Sequence, residues 1–241
     1  MLLNKNSRSQ KILTIAQAHE WQYQEFINFN DAIKQANFGL LNYSQNVIFR
    51  HCISADNRHF GLGFNFFDCR AIEPFAIHNC SVIMFNLTVD HHFADLHASF
   101  LPINGATLKH ASSGVDEKYF ERIIALQKLL PLTPHYAFPQ HKIFSNNPAL
   151  CELFLHQHLQ QKLDKQPSVP VGNKPEGIST QVSGNNLSSW ILAHPNLHIE
   201  ISNGILLAYQ PNHLLSTDDV MPALGHIAEL SAILSQVELA Q

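Results

Sequence analysis

Hydrophobic positions in the first half of the chain change from a helical to a strand period near residue 46. Ile12 and Ala16 recur at helical spacing, and either Ser7 or Ser9 can cap the start, so the pattern predicts a helix over 7–20. Three runs rich in β-branched and aromatic residues follow, with short turns between them: 47–53, 60–67 and 80–89. The pattern therefore predicts a helix and then an antiparallel meander, to which residues 98–101 add a fourth strand.

Helical spacing returns in the second half and predicts three further helices. Phe120 and Ile123 belong to the apolar stripe of the first of them, and prolines follow its end. The predicted bounds of the three helices are 116–130, 148–163 and 216–237. A short strand over 142–145 precedes the second of them. Earlier in the chain, residues 30–37 predict one more short helix, with Gly39 at its end.

The clearest turn signal in the chain is Asn203-Gly204. It lies between two apolar runs, 197–201 and 205–209. A two-residue type I′ turn requires positive φ at both central positions, which Asn and Gly tolerate best. The sequence therefore predicts a β-hairpin.

Together these elements predict an α+β fold: an antiparallel meander packed with helices, followed by a strand-helix-hairpin-helix unit. We divide the chain into residues 1–110 and residues 111–241, although a single core shared by both halves agrees equally well with the pattern. Residues 165–186 are rich in Pro, Gly, Ser, Asn and Lys and predict a mobile loop between the helix and the hairpin.

Composition narrows the classes of function. The 241 residues are 45% hydrophobic and 14% charged, with a formal net charge of −4, and no segment concentrates Lys or Arg as nucleic-acid binding requires. The four cysteines are far apart and form no CxxC pair. The sequence shows neither a signal peptide nor an apolar run long enough for a transmembrane segment. It predicts a cytoplasmic protein with reduced thiols.

One polar cluster, at the exit of the third predicted strand, offers metal ligands. His91, His92, Asp95 and His97 lie within seven residues, and imidazole and carboxylate groups suit zinc or a similar divalent metal. The spacing matches no closed metal signature such as HExxH. A solvated polar turn in a histidine-rich chain explains the same residues, so both interpretations stay open.

Other catalytic motifs are missing from the sequence. There is no GxSxG turn for a hydrolase nucleophile. The segment Gly61-Leu62-Gly63 lacks the third glycine of a dinucleotide-binding loop and precedes a strand. Cys80 and Cys151 have apolar neighbours, which is typical of inert thiols. No cofactor is therefore predicted, apart from the alternative of a divalent metal.

The arrangement resembles an uncharacterised bacterial family of α+β proteins that are often membrane-anchored. The resemblance rests on Phe67-Asp68 at the end of a glycine-containing strand, on Phe144-Ser145-Asn146-Asn147-Pro148, and on the hairpin 198–206. It covers residues 45–235. This chain lacks the membrane helices that precede the pattern in that family, and the family has no assigned activity, so the resemblance implies only the organisation of the fold.

Three hypotheses of function follow. The first is a non-enzymatic module that binds another protein, at the periphery of the inner membrane or within an assembly, through the loop 168–185. The second is a metal-dependent hydrolase that uses His91, His92, Asp95 and His97. The third is the binding of a small molecule between the meander and the helices.

Overall fold

The computed structural model describes residues 7–27, 34–42, 47–56, 60, 62–73, 76–103, 115–135, 137–160 and 187–235. The helices in these ranges are α1 (Arg8–Ala18), α2 (Gly39–Asn42), α3 (Val115–Leu126), α4 (Pro148–Gln160), α5 (Leu187–Ala193) and α6 (Val220–Ser235). The strands are β1 (Gln22–Phe26), β2 (Ile48–Ala55), β3 (Phe64–Glu73), β4 (Ala76–Asn86), β5 (His97–Pro102), β6 (Leu130–Pro131), β7 (His141–Ser145), β8 (His198–Ser202) and β9 (Ile205–Tyr209).

The nine strands form one antiparallel sheet in the order β1-β2-β3-β4-β9-β8-β5-β7-β6. The meander β1 to β4 occupies one side of the sheet, and the hairpin β8–β9 joins it to the remaining strands. The predicted α+β fold with an antiparallel meander is confirmed. Because β4 pairs with β9, residues 1–110 and 111–241 contribute strands to the same sheet.

Each face of the sheet carries its own hydrophobic cluster. The larger cluster lies under α1, α4, α5 and α6 and contains Phe64, Phe85, Phe100 and Trp190. We call this side the helix-rich face. The cluster on the second face includes Phe38, Phe67, Met84 and Tyr209, together with Phe120 of α3. Two apolar layers explain the high hydrophobic fraction of the strands.

Local signals at the termini of elements account for several correct predictions. The side chain of Ser7 accepts a hydrogen bond from the Gln10 amide and caps α1. Asn203 and Gly204 both have positive φ, 50° and 69°, as the predicted hairpin turn requires. The Ser216 hydroxyl accepts a hydrogen bond from the Asp219 amide just before α6.

Other elements differ from the predictions. Residues 34 and 35 of the predicted helix 30–37 are helical, and residues 30–33 lie outside the described ranges. Gly39, predicted at the end of that helix, instead begins the short helix α2. Helix α3 ends at Leu126, before the prolines, because Lys128 adopts positive φ (57°). Strands β1 and β6 and helix α5 were not predicted, and the predicted loop 165–186 lies outside the described residues.

Within the described ranges every helix is too short or too polar to cross a bilayer.

Candidate interaction site

Strand β1 forms one edge of the sheet. It pairs with β2 on one side, and no other described residue pairs with it. Its residues alternate between exposed and half-buried, with Gln22, Gln24 and Phe26 exposed. The strand contains no proline and no lysine, which are the residues that commonly block such edges. Its outer backbone N–H and C=O groups can therefore bond to another strand.

A polar network fastens β1 to α1 and β2. The Tyr23 hydroxyl donates a hydrogen bond of 2.6 Å to Oε2 of Glu25, and the Ser9 hydroxyl of α1 donates to the same oxygen. Oγ of Ser9 also lies 3.3 Å from Nδ1 of His51 on β2. One carboxylate thus connects three elements, and these contacts hold β1 in a defined position.

An irregularity in β2 brings His51 into this network. The register between β2 and β3 shifts between Arg50 and Ile53, and His51 adopts positive φ (55°), as a β-bulge residue often does. Its Nδ1 atom lies 3.6 Å from Oε1 of Glu25. Left-handed backbone is less favourable for histidine than for glycine, so the surrounding contacts must hold this conformation.

The pKa values of Tyr23 and Glu25 are shifted in opposite directions. Burial, and then the adjacent Glu25 carboxylate, raise the pKa of Tyr23 to about 12. Burial alone would raise the pKa of Glu25, but hydrogen bonds from Ser9 and Tyr23 and the nearby His51 and Arg50 lower it overall. At neutral pH Tyr23 therefore keeps its proton and Glu25 is ionised.

An exposed apolar patch continues the edge at the end of β1. Phe26 is 62% exposed and Ile48 is 41% exposed. The guanidinium of Arg50 lies 5.0 Å from the centre of the Phe26 ring, a cation–π contact. Phe26 is therefore largely exposed beside strand backbone whose outer side no described residue pairs with.

The predicted metal ligands divide between two places. Asp90, His91 and His92 bring one ligand atom each within 4.8 Å of one another, and this is the grouping found among the described residues. Oδ1 of Asp90 lies 2.6 Å from Nδ1 of His92 and 3.1 Å from Nδ1 of His91. Asp90 also caps the short 3₁₀ helix His91–Phe93 by accepting a hydrogen bond from the His92 amide. The group is exposed, and metal binding there stays a prediction.

Asp95 and His97 do not join that group. The side chain of His97 is buried on the second face of the sheet, where its Nε2 atom lies 3.6 Å from Oε2 of Glu200. The physical reason is strand alternation: β5 begins at His97, and its odd-numbered side chains face away from the helix-rich core. Asp95 stays exposed in the turn before β5. The four predicted ligands therefore do not surround one point.

Glu200 is the centre of a buried polar cluster that sequence reasoning missed. It has no solvent exposure, and its Oε2 atom accepts hydrogen bonds from the Gly39 amide (3.0 Å) and from Nε2 of Gln127 (2.9 Å). Burial would raise the pKa of Glu200, but contacts with His97, His198 and Gly39 lower it overall. The cluster ties α2 and the end of α3 to the sheet. The sequence signal that could have revealed this cluster is the acidic residue inside the apolar run of β8.

Ser99 and His198 lie in the same cluster but lack the geometry of a catalytic triad. Oγ of Ser99 lies 2.9 Å from Nε2 of His198, and Oε1 of Glu200 lies 3.8 Å from that same nitrogen. In a triad the carboxylate bonds the opposite ring nitrogen. Nδ1 of His198 has no hydrogen-bond partner, and Ser99 has no solvent exposure. A substrate cannot reach this hydroxyl in the folded protein.

The cysteines and the cavity offer little chemistry. Cys52, Cys69, Cys80 and Cys151 are free and buried. Burial raises the pKa of Cys52 and of Cys151 to about 12, so these two thiols are unreactive at neutral pH. A cavity of about 90 Å³ lies between α5, α6 and strands β4 and β9. Ligand sites usually measure roughly 300–1,000 Å³. The cavity is therefore too small for a typical small-molecule ligand.

Comparison with known proteins shows the fold and no family. No protein-family model matches the chain, and no curated protein sequence matches it. The crystal structure of the mycobacterial trehalose monomycolate transport factor A, TtfA, is similar, with a TM-score of 0.54 and 12% sequence identity. The similarity covers 97% of this chain and 98% of TtfA. The two proteins therefore share the α+β arrangement over nearly their whole lengths.

Proposed function

We propose that this chain is a non-enzymatic module that binds another protein by accepting a strand of that protein at β1. One observation carries the proposal. No described residue pairs with the outer side of the five-residue strand β1, and the largely exposed Phe26 lies at its end. Addition of a strand to an exposed sheet edge is a common mode of peptide recognition, in which main-chain hydrogen bonds supply affinity.

The polar groups of the chain support a binding role. Ser99, His198 and Glu200 are buried and meet no solvent-borne substrate, and the network of Ser9, Tyr23 and Glu25 at β1 fixes the position of the strand. The structurally similar TtfA is a transport factor, which is compatible with a non-enzymatic part in an assembly. The proposal keeps the cytoplasmic setting, peripheral to a membrane, that the sequence predicted.

A capture experiment with edge variants tests the proposal. The tagged chain is incubated with lysate of its source cells, and retained proteins are identified by mass spectrometry. The variant Gln24→Lys/Phe26→Lys places a charge that commonly blocks edges at two exposed positions of β1. Leu130→Lys is the matched control, because it places a lysine at an exposed position of the opposite edge strand. Circular dichroism confirms that each variant is folded.

The proposal predicts that the wild type and Leu130→Lys retain the same proteins and that the β1 variant loses them. Deletion of residues 168–185, the loop that the sequence suggested as the binding element, should leave retention unchanged. Equal retention by the β1 variant, or no specific protein retained by the wild type, would contradict the proposal.

A further inference from the structure

We infer that the strand which pairs with β1 carries basic and apolar side chains at alternating positions. This inference rests on the proposed function and adds the chemistry of the partner. It follows from the two adjacent residues Glu25 and Phe26, which β1 presents on opposite sides of its pleat. A strand paired with β1 places successive side chains beside first one and then the other.

Glu25 favours a basic neighbour on the helix-rich side of the edge. Its carboxylate is 38% exposed, and its Oε2 atom accepts both strong hydrogen bonds of the network, from Ser9 and Tyr23. Its Oε1 atom makes only longer contacts among the described residues, 3.5 Å to Arg50 and 3.6 Å to His51. Those distances exceed that of a charge-assisted hydrogen bond, about 2.7–2.9 Å. Oε1 can therefore accept a bond from a lysine or arginine on an added strand.

Phe26 favours an apolar neighbour on the other side. One face of its ring is covered by the Arg50 guanidinium, and 62% of the residue is exposed. Pairing of an aromatic residue with a β-branched residue across two strands is among the favourable cross-strand contacts. A valine or isoleucine beside Phe26 would remove this apolar surface from water. The two requirements together define an alternating basic and apolar segment.

The charge pattern disfavours a second copy of this chain as the occupant. If two β1 strands paired antiparallel about Gln24, Glu25 of each would face Tyr23 of the other, and the two Glu25 side chains would be diagonal neighbours. Like charges at such positions are destabilising. Strand β1 contains no basic residue to balance them, and each chain carries a formal net charge of −4. A basic partner is also attracted by this net charge.

Synthetic peptides test the inference directly. Three short peptides alternate valine with lysine, with glutamate or with threonine, and their binding to the full chain is measured by fluorescence anisotropy at physiological salt. The variant Glu25→Gln removes the carboxylate charge, and Tyr23 and Ser9 can still bond to the amide oxygen. Glu20→Gln removes the same charge from an exposed residue just before β1 and serves as the control.

The lysine peptide should bind most tightly, and Glu25→Gln should weaken its binding about twofold to fivefold, the range of an exposed ion pair. Glu20→Gln should have no effect, and the threonine peptide should not distinguish Glu25→Gln from the wild type. Equal binding of the glutamate and lysine peptides, no effect of Glu25→Gln, or no binding of the lysine peptide would overturn the inference. The proposed function fails separately, if the β1 variant retains the same cellular proteins.

Discussion

The two edges of the sheet are built in opposite ways. At one end, β6 consists of Leu130 and Pro131 only, and the proline has no N–H group to offer to a further strand. At the other end, β1 has five residues without proline, and a network behind it fixes its position. In the part of the chain that the structure describes, one sheet thus has both a blocked edge and an open edge.

This difference indicates where the chain can associate. Natural sheets block exposed edges because unpaired backbone promotes aggregation. Under the proposed function, a sheet that blocks β6 but leaves β1 unpaired by the described residues, with Phe26 exposed beside it, keeps one edge for a partner. The half-buried charge of Glu25 restricts which strands can pair there.

The largest loss of stability that we expect comes from substituting Glu200, which lies in the interior of the sheet between the two edges. Glu200→Ala leaves the Gly39 amide and the Gln127 side chain without their acceptor and should destabilise the fold by about 3–5 kcal/mol, as loss of one member of a buried charged group does. Glu25→Ala, at the half-exposed network of β1, should cost about 1 kcal/mol. Urea denaturation measures both. Equal losses would show that the edge network is as deeply integrated in the fold as the interior cluster.

Acidification should lower the stability of the fold through two buried histidines. Burial lowers the pKa of His158 and of His198 to about 4. Between pH 6.5 and pH 4 the unfolded chain binds protons at these histidines and the folded chain does not, so stability should fall as the pH falls through this window. His158→Leu should flatten the decline, measured as melting temperature against pH. An unchanged slope would mean that His158 titrates normally in the folded protein.

A smaller effect is expected from opening the blocked edge. Pro131→Thr restores a backbone N–H and a strand-forming side chain next to the exposed Leu130. Stability should change by less than about 1 kcal/mol, because the site is exposed. Association of the variant should rise, as measured by light scattering over a concentration series. If the variant stays as monodisperse as the wild type, Pro131 is not what blocks this edge.

The smallest expected effect is on metal binding at the exposed turn before β5. We expect any zinc bound by the chain to depend on Asp90, His91 and His92, the residues whose ligand atoms lie together, and not on His97. Metal analysis of untagged protein compares His91→Ala/His92→Ala with His97→Gln. Zinc lost only on His97→Gln would restore the predicted four-residue site, whereas an ion-free wild type removes the metal-dependent hydrolase alternative.

Local signals in the sequence were sufficient for much of the fold. The hairpin turn at Asn203-Gly204 and the cap at Ser7 depend on neighbouring residues: the turn was predicted correctly, and Ser7 is one of the two caps that the sequence offered. Strand β1 was missed although Gln22 to Phe26 alternates between polar and aromatic residues, because a five-residue pattern directly after a helix is short. Its position at the edge depends on the order of strands, which no local pattern contains.

The buried cluster could not be assembled from the sequence. Glu200, Gln127, His97 and Gly39 are separated by up to 161 residues and meet only because β5, β8, α2 and α3 converge on the second face. The prediction grouped His97 with His91 and His92, since they are close in sequence. Strand alternation instead points the His97 side chain to the second face of the sheet, where Glu200 lies.

Hydrogen exchange at the two edges tests strand addition at β1 directly. Amide exchange of the chain is followed by mass spectrometry or NMR, alone and with a captured partner or the lysine–valine peptide. Strand addition at β1 predicts that the outward-facing amides of Gln22–Phe26, at alternate residues, become protected on binding because they bond to the added strand, while exchange at Leu130 is unchanged. Binding that leaves the β1 amides unprotected, or that protects a different surface instead, would contradict it.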